Sequence, residues 1–215
     1  MNVNEEKEDR RTGARRSQSE RSQATRGALI AAARRLFAER GYSAVGTEEI
    51  VRAAGVTRGA LYHHFADKRE LFEAVYEQLE ADLTERIAAG ALAANADSPL
   101  AAMRAGAAMF LRACTEPEAQ QIALLDGPAV LGWGRWREIG AEHGLGLIEA
   151  TLLAAIEADA IPRQPVRPLA HVLMGALDEA ALLVATADEP EAARAEVGRT
   201  LDFVIDSLSS SARPR

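Results

Sequence analysis

The side chains best suited to specific polar recognition lie within Thr47–Lys68, in the run TEEIVRAAGVTRGALYHHFADK. Arg58 carries a planar guanidinium that can donate two parallel hydrogen bonds, for example to the O6 and N7 atoms of guanine. Tyr62 and His63 would project from the same side of a helix as Arg58, and Gly59 has no side chain to keep a backbone away. These residue types suggest contact with base edges and phosphates rather than catalysis.

Two short helices joined by a tight turn are predicted to hold these residues, over 47–54 and 58–64. Thr47 can accept a hydrogen bond from an unpaired backbone N–H at the start of the first helix. Gly55 suits the positive φ that often ends a helix, and Thr57 is the candidate N-cap of the second helix. A helix, a glycine-containing turn and a second helix form the pattern of a DNA-binding helix-turn-helix.

The run LFAERGYSAVGTEEIVRAAGVTRGALYHHFADKREL, residues 36–71, resembles the DNA-binding domain of the tetracycline-repressor (TetR) family of bacterial regulators. Gly46 departs from the hydroxyl residue expected before Thr47. The resemblance covers residues 22–75, and the rest of the chain fits the family in helical character and length. The matching residues, at several fixed spacings, are Phe37, Gly41, Tyr42, Thr47, Ile50, Ala54, Gly55, Val56, Leu61, Tyr62, His63, His64, Phe65 and Lys68.

The resemblance implies an all-α, homodimeric regulator that binds a double-stranded DNA operator, usually as a repressor. It further implies that a small molecule, whose identity the sequence does not reveal, binds the C-terminal body and releases the DNA. No cofactor is expected. The implied DNA contacts are Thr47, Thr57, Arg58, Gly59, Ala60, Tyr62, His63, His64 and Lys68.

Two other functions stay open, a DNA-binding regulator without a small ligand and a helical enzyme. The sequence lacks G-x-S-x-G, G-x-x-x-x-G-K-[ST] and H-E-x-x-H, so an enzyme is not predicted. No metal site is predicted, because His63 and His64 are adjacent and point about 100° apart on a helix. A large apolar cavity in the body would favour a ligand-responsive regulator, and a solid core would favour the ligand-free alternative.

Charge is divided unevenly along the 215 residues, whose net charge is −7. Residues 1–70 contain 14 basic and 10 acidic side chains, a formal charge of +4, which leaves −11 for residues 71–215. A basic end on an acidic body fits phosphate contact at one end. The polar N-terminus, the single Cys114 and the lack of an apolar run of about 18 residues predict a cytoplasmic protein with no membrane partner.

Three segments are predicted. Residues 1–21 form a disordered basic arm that could reach the minor groove or remain a solvated tail, because they contain almost no apolar side chains. Residues 22–70 form the helix-turn-helix domain, and residues 71–215 form an effector-binding and dimerisation domain. About nine helices are expected, at 22–40, 47–54, 58–64, 68–89, 99–114, 117–125, 133–159, 166–186 and 189–209.

The segment Asp126–Glu138 is the most unusual part of the body, because it contains both tryptophans, three glycines and two arginines. It could line a ligand cavity with an arginine as polar anchor. Alternatively, it could be a structural corner in which a glycine-rich turn begins a helix. The candidate ligand-binding residues are Met103, Phe110, Trp133, Arg135, Trp136, Arg137, His171 and Met174.

A homodimer is predicted through the helices near 166–186 and 189–209, because both carry more apolar surface than one small core needs. Pairing across a two-fold axis would give a four-helix bundle and a near-palindromic operator. The apolar residues of the two helices are Leu169, Val172, Leu173, Ala176, Leu177, Leu183 and Val184 in the first, and Ala193, Val197, Leu201, Val204, Ile205 and Leu208 in the second.

Overall fold

The structure, a computed structural model, describes residues 3–93 and 96–209, with side chains from Gln18 onward except Leu92. Every regular element in this part of the chain is a helix, which confirms the all-α prediction. The helices are α1 (Val3–Arg40), α2 (Thr47–Ala54), α3 (Arg58–His64), α4 (Lys68–Ala93), α5 (Pro99–Cys114), α6 (Pro117–Ala119), α7 (Gly127–Leu131), α8 (Trp133–Glu157), α9 (Val166–Ala185) and α10 (Pro190–Ser207). A π-helical segment, Gln120–Asp126, lies between α6 and α7.

The chain divides into two compact units, Met1–Val75 (the first unit) and Tyr76–Arg215 (the second unit). The sequence placed this division after residue 70, in the first turn of α4. Helix α4 is continuous from the end of the first unit into the second. An unbroken helix carries no change in composition at the boundary, so the sequence pattern could not mark it.

Helix α1 begins at Val3, so the structure differs from the predicted disordered arm over 1–21 and the predicted helix start at Ser22. The arm was predicted because it is polar. Glu, Arg, Gln and Ala are nevertheless good helix formers, and a helix anchored further along can continue through such a segment. The predicted end is confirmed, since Gly41 has a φ of 76° and its N–H donates to the Phe37 carbonyl at 2.8 Å.

The core of the first unit is closely filled by aromatic and aliphatic side chains. The rings of Phe37, Tyr42 and Phe72 contact one another with centroids 5.3–5.6 Å apart. Leu61 and Phe65 are buried, as predicted, and hold α3 against this core. Packing of this kind fixes the position of α3 and so of the polar residues on its outer side.

In the second unit, α8 packs on α9, and α10 packs on α5 and α9. The unusual segment Asp126–Glu138 contains α7, the residue Gly132 with a φ of 81°, and the first residues of α8. Trp136 is buried, and its indole N–H donates to the Ala123 carbonyl at 2.8 Å. A Cβ at Gly127 would lie only 2.8 Å from the Trp136 ring, so the close approach requires glycine at this position.

Part of the apolar stripe of α10 packs inside its own unit, and the dimer through the helices near 166–186 and 189–209 stays a prediction. Leu201 and Ile205 are buried. The large apolar side chains that α9 and α10 expose are Val172 (68% exposed) and Leu183 (53%), both among the predicted apolar residues, and Phe203 (75%), which was not among them. Helical periodicity shows that a stripe is buried, but it does not show whether the burial is within one protomer or between two.

Helices α8 and α9 are long and apolar enough, on average, to meet a length-and-hydropathy test for a membrane span. This is weak evidence, because the core helices of soluble proteins meet the same test. Both helices contain charged side chains, among them Arg135 and Asp178. Both also contribute buried residues to the core of the second unit.

Candidate nucleic-acid interface and ligand cavity

Helix α2 begins where predicted, but its cap differs. Gly46 is the N-cap residue, with no side-chain hydrogen bond, and its carbonyl accepts from the N–H groups of Glu49 (3.1 Å) and Ile50 (3.2 Å). Thr47 is therefore the first helical residue and not the cap. Its half-buried side chain lies at the positive end of the helix. A phosphate contact at this end is an expectation that the position allows.

The turn between α2 and α3 has the predicted geometry. Gly55 lies in the left-handed region, with φ 67° and ψ 28°, and its N–H donates to the Arg52 carbonyl. The N–H of Val56 donates to the Val51 carbonyl at 3.1 Å, which completes the closing pair of a helix end. The side chain of Thr57 then caps α3 by accepting from the Ala60 N–H at 3.2 Å, as predicted. These local contacts set the angle at which α3 leaves α2.

The outer side of α3 presents an arginine and an aromatic ring to solvent. Arg58 is 65% exposed in its side chain, and its guanidinium lies 5.6 Å from the centre of the Tyr62 ring. A carboxylate oxygen of Glu48 lies 3.6 Å from Arg58. Exposed ion pairs are weak, so a guanine edge or a phosphate can replace Glu48 at small cost.

His63 and His64 lie side by side with ring centroids 5.1 Å apart. Partial burial, followed by the charges of His63 and Arg26, lowers the pKa of His64 below its usual value. His64 is therefore mostly neutral at physiological pH and can accept or donate a hydrogen bond. No group of three or more potential metal ligands occurs among the described residues.

Lys68 makes contacts that sequence reasoning missed. Its ammonium donates to the carbonyls of Tyr42 (2.9 Å) and Val45 (3.0 Å) and lies 3.9 Å from the centre of the Tyr42 ring. The predicted phosphate contact would have to share these donors. The predicted cap of α4 is present, because Asp67 accepts from the Glu70 N–H at 2.8 Å.

A shallow groove on the first unit joins α1 to α3. The predicted residues Ala60, His63 and His64 lie on the α3 side of this groove. Its α1 side is polar and was not singled out from the sequence, because it falls before the matched motif. The groove residues on α1 are Gln18, Ser19, Arg21, Ser22 and Thr25.

The second unit contains a cavity of about 170 Å³. It lies among α4, α5, α8, α9 and α10, and most of its lining is apolar. Five of the eight candidate ligand residues line it: Met103, Phe110, Trp136, Arg137 and Met174. Whether they bind a ligand stays a prediction.

The other three candidates lie outside the cavity lining. Trp133 is 52% exposed and stacks on Trp136 with centroids 4.9 Å apart. Arg135 is turned toward carboxylates, 3.1 Å from Glu77 and 2.9 Å from Glu138. His171 is exposed. On α8, successive residues point about 100° apart, so only some of this segment can face inward.

Sequence reasoning missed the polar groups that the cavity contains. Tyr76, Glu80, Cys114 and Asp178 all line it. Burial raises the pKa of the Tyr76 phenol and of the Cys114 thiol, so both stay protonated. Glu80 and Tyr76 lie one helical turn apart on α4, but that spacing is common and gave no distinctive signal.

The two carboxyl groups of the cavity have unequal surroundings. Asp178 lies 3.9 Å from the guanidinium of Arg137, which partly offsets the burial that raises its pKa to about 6. Burial raises the pKa of Glu80 to about 7, opposed by a hydrogen bond from Tyr76 and reinforced by the charge of Asp178. A carboxyl group with such a pKa changes its charge near neutral pH.

Both units match known sequence families. Residues 29–75 match the family described as "Bacterial regulatory proteins, tetR family", and residues 100–208 match "Tetracyclin repressor-like, C-terminal domain". The chain is 47% identical over 72 residues to the HTH-type transcriptional regulator CymR of Pseudomonas putida. That match covers 34% of this chain and 36% of CymR, so it spans about a third of the relative.

Solved structures resemble the chain over most of its length. A TetR-family transcriptional regulator from Pectobacterium atrosepticum is 32% identical, with a TM-score of 0.80 over 91% of this chain and 98% of that one. RolR in complex with resorcinol has a TM-score of 0.69 over 92% of this chain and 98% of that one. At 20% identity, the likeness to RolR concerns the fold alone. The family matches and the P. atrosepticum structure cover both units, and the chain belongs to the TetR family of bacterial transcriptional regulators.

Proposed function

We propose that the protein is a sequence-specific DNA-binding transcriptional regulator, a repressor that a small molecule releases from its operator. The observation that carries the proposal is the capped helix α3, whose outer side exposes Arg58 and Tyr62 while Leu61 fixes its inner side in the core. The TetR family consists of transcriptional regulators, typically repressors, rather than enzymes, and they act as dimers on DNA. A cytoplasmic location is part of the proposal, since that is where the DNA lies.

Arg58 is the proposed base-reading residue, because its exposed guanidinium can donate to two acceptors of one guanine. The guanidinium lies 5.6 Å from the centre of the Tyr62 ring and 3.6 Å from a carboxylate oxygen of Glu48, and DNA would replace the second contact. The other proposed contacts serve the phosphates and neighbouring bases. They are Thr47, Thr57, Gly59, Ala60, His63, His64 and Lys68.

The proposed dimer uses the exposed faces of α9 and α10. Val172 and Leu183 on α9 and Phe203 on α10 are large apolar side chains that water surrounds in the protomer. Helices α9 and α10 pack against each other, so the three exposed side chains lie on neighbouring helices. Burial of such a surface across a two-fold axis is favourable and would form a four-helix bundle. A two-fold dimer requires a near-palindromic operator.

The cavity supports ligand control over the ligand-free alternative. RolR, which shares the fold, binds resorcinol in its solved complex. Helix α4 begins with residues of the first unit, and Glu80 and Leu83 further along it line the cavity. A ligand that prefers one orientation of α4 would therefore change DNA affinity. By reciprocity, DNA would weaken binding of that ligand by the same factor.

The test of DNA reading begins with selection of a duplex from a random pool by the full-length protein. Fluorescence anisotropy then compares the protein with Arg58→Ala and with Arg163→Ala, which removes an exposed arginine from the loop before α9. Arg58→Ala should cost about 1–3 kcal/mol on the selected duplex and relax preference at one position. Arg163→Ala should change neither. Equal losses for both variants, or no selected sequence, would overturn the proposal.

The dimer is tested by light scattering without DNA. Phe203→Glu places a charge in the proposed interface and should yield a monomer at micromolar concentration. Leu153→Glu makes the same change at an exposed leucine on α8 and should leave the dimer intact. A monomeric native protein, or a dimer that survives Phe203→Glu, would contradict this interface.

A further inference from the structure

The cavity of the second unit sets the size of what it can hold. Its volume is about 170 Å³. An engineered apolar cavity of about 150 Å³ binds benzene, so the space here suits a single ring with a short substituent. Most of its wall is apolar, with residues such as Leu83, Phe110, Ile148 and Leu177. A ligand must therefore present a mainly hydrophobic body to this wall.

The charged groups at the wall set the sign of the charge that the ligand can carry. Three ionisable side chains that can be charged at neutral pH line the cavity: Glu80, Arg137 and Asp178. Arg137 lies against Asp178 at 3.9 Å, and no cation among the described side chains forms an ion pair with Glu80. Within the described residues, the groups that act on the pKa of Glu80 are Tyr76 and Asp178, and neither is a cation.

An anionic ligand fits these surroundings poorly. The only guanidinium at the wall, among the described residues, already faces a carboxylate, and a second carboxylate would repel the anion. A neutral ligand can fill the apolar space but supplies no positive charge to the ionised form of Glu80. A cation would supply the missing partner, and attraction between opposite charges is stronger in a water-poor cavity than in water.

We propose that the cavity binds a small apolar amine, whose protonated nitrogen pairs with Glu80 and Asp178 while its ring or short chain fills the hydrophobic space. The inference names the effector class for the ligand-controlled regulator proposed above and rests on that function. Arg137 lies against Asp178 at 3.9 Å, and Tyr76 lines the same cavity, where its hydroxyl donates to the Trp136 carbonyl at 3.4 Å.

Proton release accompanies this binding. In the empty cavity the pKa of Glu80 is raised to about 7, so near pH 7 a large part of the protein carries a proton on this carboxyl group. The amine arrives already protonated and favours the ionised carboxylate. The proton of Glu80 then leaves to the solvent, and no other bond is made or broken. Binding should therefore weaken as pH falls from 8 to 6.

Three probes of equal size but different charge test the inference on the full-length protein: 2-phenylethylamine, 2-phenylethanol and phenylacetate. Titration calorimetry at pH 8 should give the amine at least about tenfold higher affinity than the alcohol, with no detectable binding of phenylacetate. At pH 7, calorimetry in buffers of different ionisation enthalpy should detect proton release. Glu80→Gln should remove the preference for the amine over the alcohol. The control Glu85→Gln, at an exposed position of the same helix, should keep it.

Asp178→Asn provides a second variant if Glu80→Gln does not fold, and it should also reduce the preference for the amine. The inference is overturned if the alcohol or phenylacetate binds as well as the amine, if none of the probes binds at millimolar concentration, or if Glu80→Gln keeps the preference. Anisotropy on the selected duplex separates the two proposals. If the alcohol or phenylacetate releases DNA, the proposal that a ligand controls DNA binding stands, and the proposal that this ligand is an amine is wrong. If the amine binds but does not release DNA, the proposal of an amine site stands, and the proposal of ligand control is wrong.

Discussion

The two units of this protein solve opposite packing problems. The first unit fills its centre with the rings of Phe37, Tyr42 and Phe72 and exposes Arg58 and His63 at its surface. The second unit keeps a cavity at its centre and turns Glu80 and Asp178 into it. A rigid core suits the first because α3 must hold a fixed geometry against DNA. A hollow core suits the second because a ligand can supply the missing contacts.

The polar groups of the two units differ in the same way. In the first unit, Lys68 satisfies backbone carbonyls of the loop before α2, and Thr57 and Asp67 cap helices. Each of these contacts stabilises the protein without a ligand. In the second unit, burial raises the pKa of Glu80 to about 7, so this group lacks full compensation when the cavity is empty. The first unit uses its polar groups to hold helices and loop together, whereas the second unit, the candidate sensor, places an ionisable group at the cavity wall.

The largest expected effect comes from hollowing the filled core. Phe37→Ala should lower the free energy of unfolding by about 3–5 kcal/mol, because Phe37 is fully buried and its removal leaves a new cavity. Phe110→Ala should cost clearly less, because Phe110 is half-buried and already borders empty space. Urea denaturation followed by far-UV circular dichroism measures both. Equal losses would erase the distinction between a filled and a hollow core.

The next effect concerns pH. The folded-state pKa of Glu80 is raised from 4.5 to about 7, so the folded protein binds more protons than the unfolded chain between these values. Stability should therefore fall as pH rises through this window, by on the order of 2 kcal/mol. Both tryptophans lie in the second unit, so tryptophan fluorescence during urea denaturation at pH 5 and pH 8 measures the stability of this unit at the two pH values. Glu80→Gln should reduce this dependence but leave a smaller slope of the same sign, because the pKa of Asp178 is also raised, to about 6. An unchanged slope would show that Glu80 does not cause the dependence.

A smaller effect is expected at Lys68. Lys68→Met keeps most of the aliphatic stem but removes the two hydrogen bonds to the carbonyls of Tyr42 and Val45. The first unit should lose about 1–2 kcal/mol of stability, since hydrogen bonds to charged groups are worth somewhat more than neutral ones. Thermal denaturation by circular dichroism tests this, with Arg69→Met as the neighbouring exposed control. If Lys68→Met lowered DNA affinity without lowering stability, the main role of the ammonium would be to bind phosphate and not to hold the loop before α2.

The smallest effect is a gain. Gly106 lies in α5 at the cavity wall, and a Cβ there would meet no atom within 4 Å. Gly106→Ala should stabilise the second unit by about 0.5–1 kcal/mol, because alanine is the better helix former. Gly144→Ala is the contrasting variant, because its Cβ would lie 3.1 Å from the Met174 side chain. In urea denaturation followed by tryptophan fluorescence, Gly106→Ala should have the higher unfolding midpoint of the two variants. The reverse order would contradict the finding that a Cβ has more room at Gly106 than at Gly144.

The sequence determined the first unit in detail because its contacts are local. The bounds of α2 and α3, the left-handed Gly55 and the cap at Thr57 follow from residues within one or two turns of each other. The predicted burial of Leu61 follows from helical period alone. The predicted cap at Thr47 is wrong, because the cap is Gly46, which has no side chain. The hydrogen bonds of Lys68 were missed because they span more than twenty residues, and its phosphate contact stays a prediction.

The sequence also determined most helices of the second unit, with α5 at its predicted bounds and α8, α9 and α10 within two residues of theirs. Only the tertiary structure decided which faces of these helices meet. It turned Trp136 and Arg137 toward the cavity and Trp133 and Arg135 away from it, and it buried Leu201 while exposing Phe203. Helical period fixes the relative directions of side chains on one helix, whereas the rotation of that helix toward its neighbours depends on packing among residues far apart in the chain.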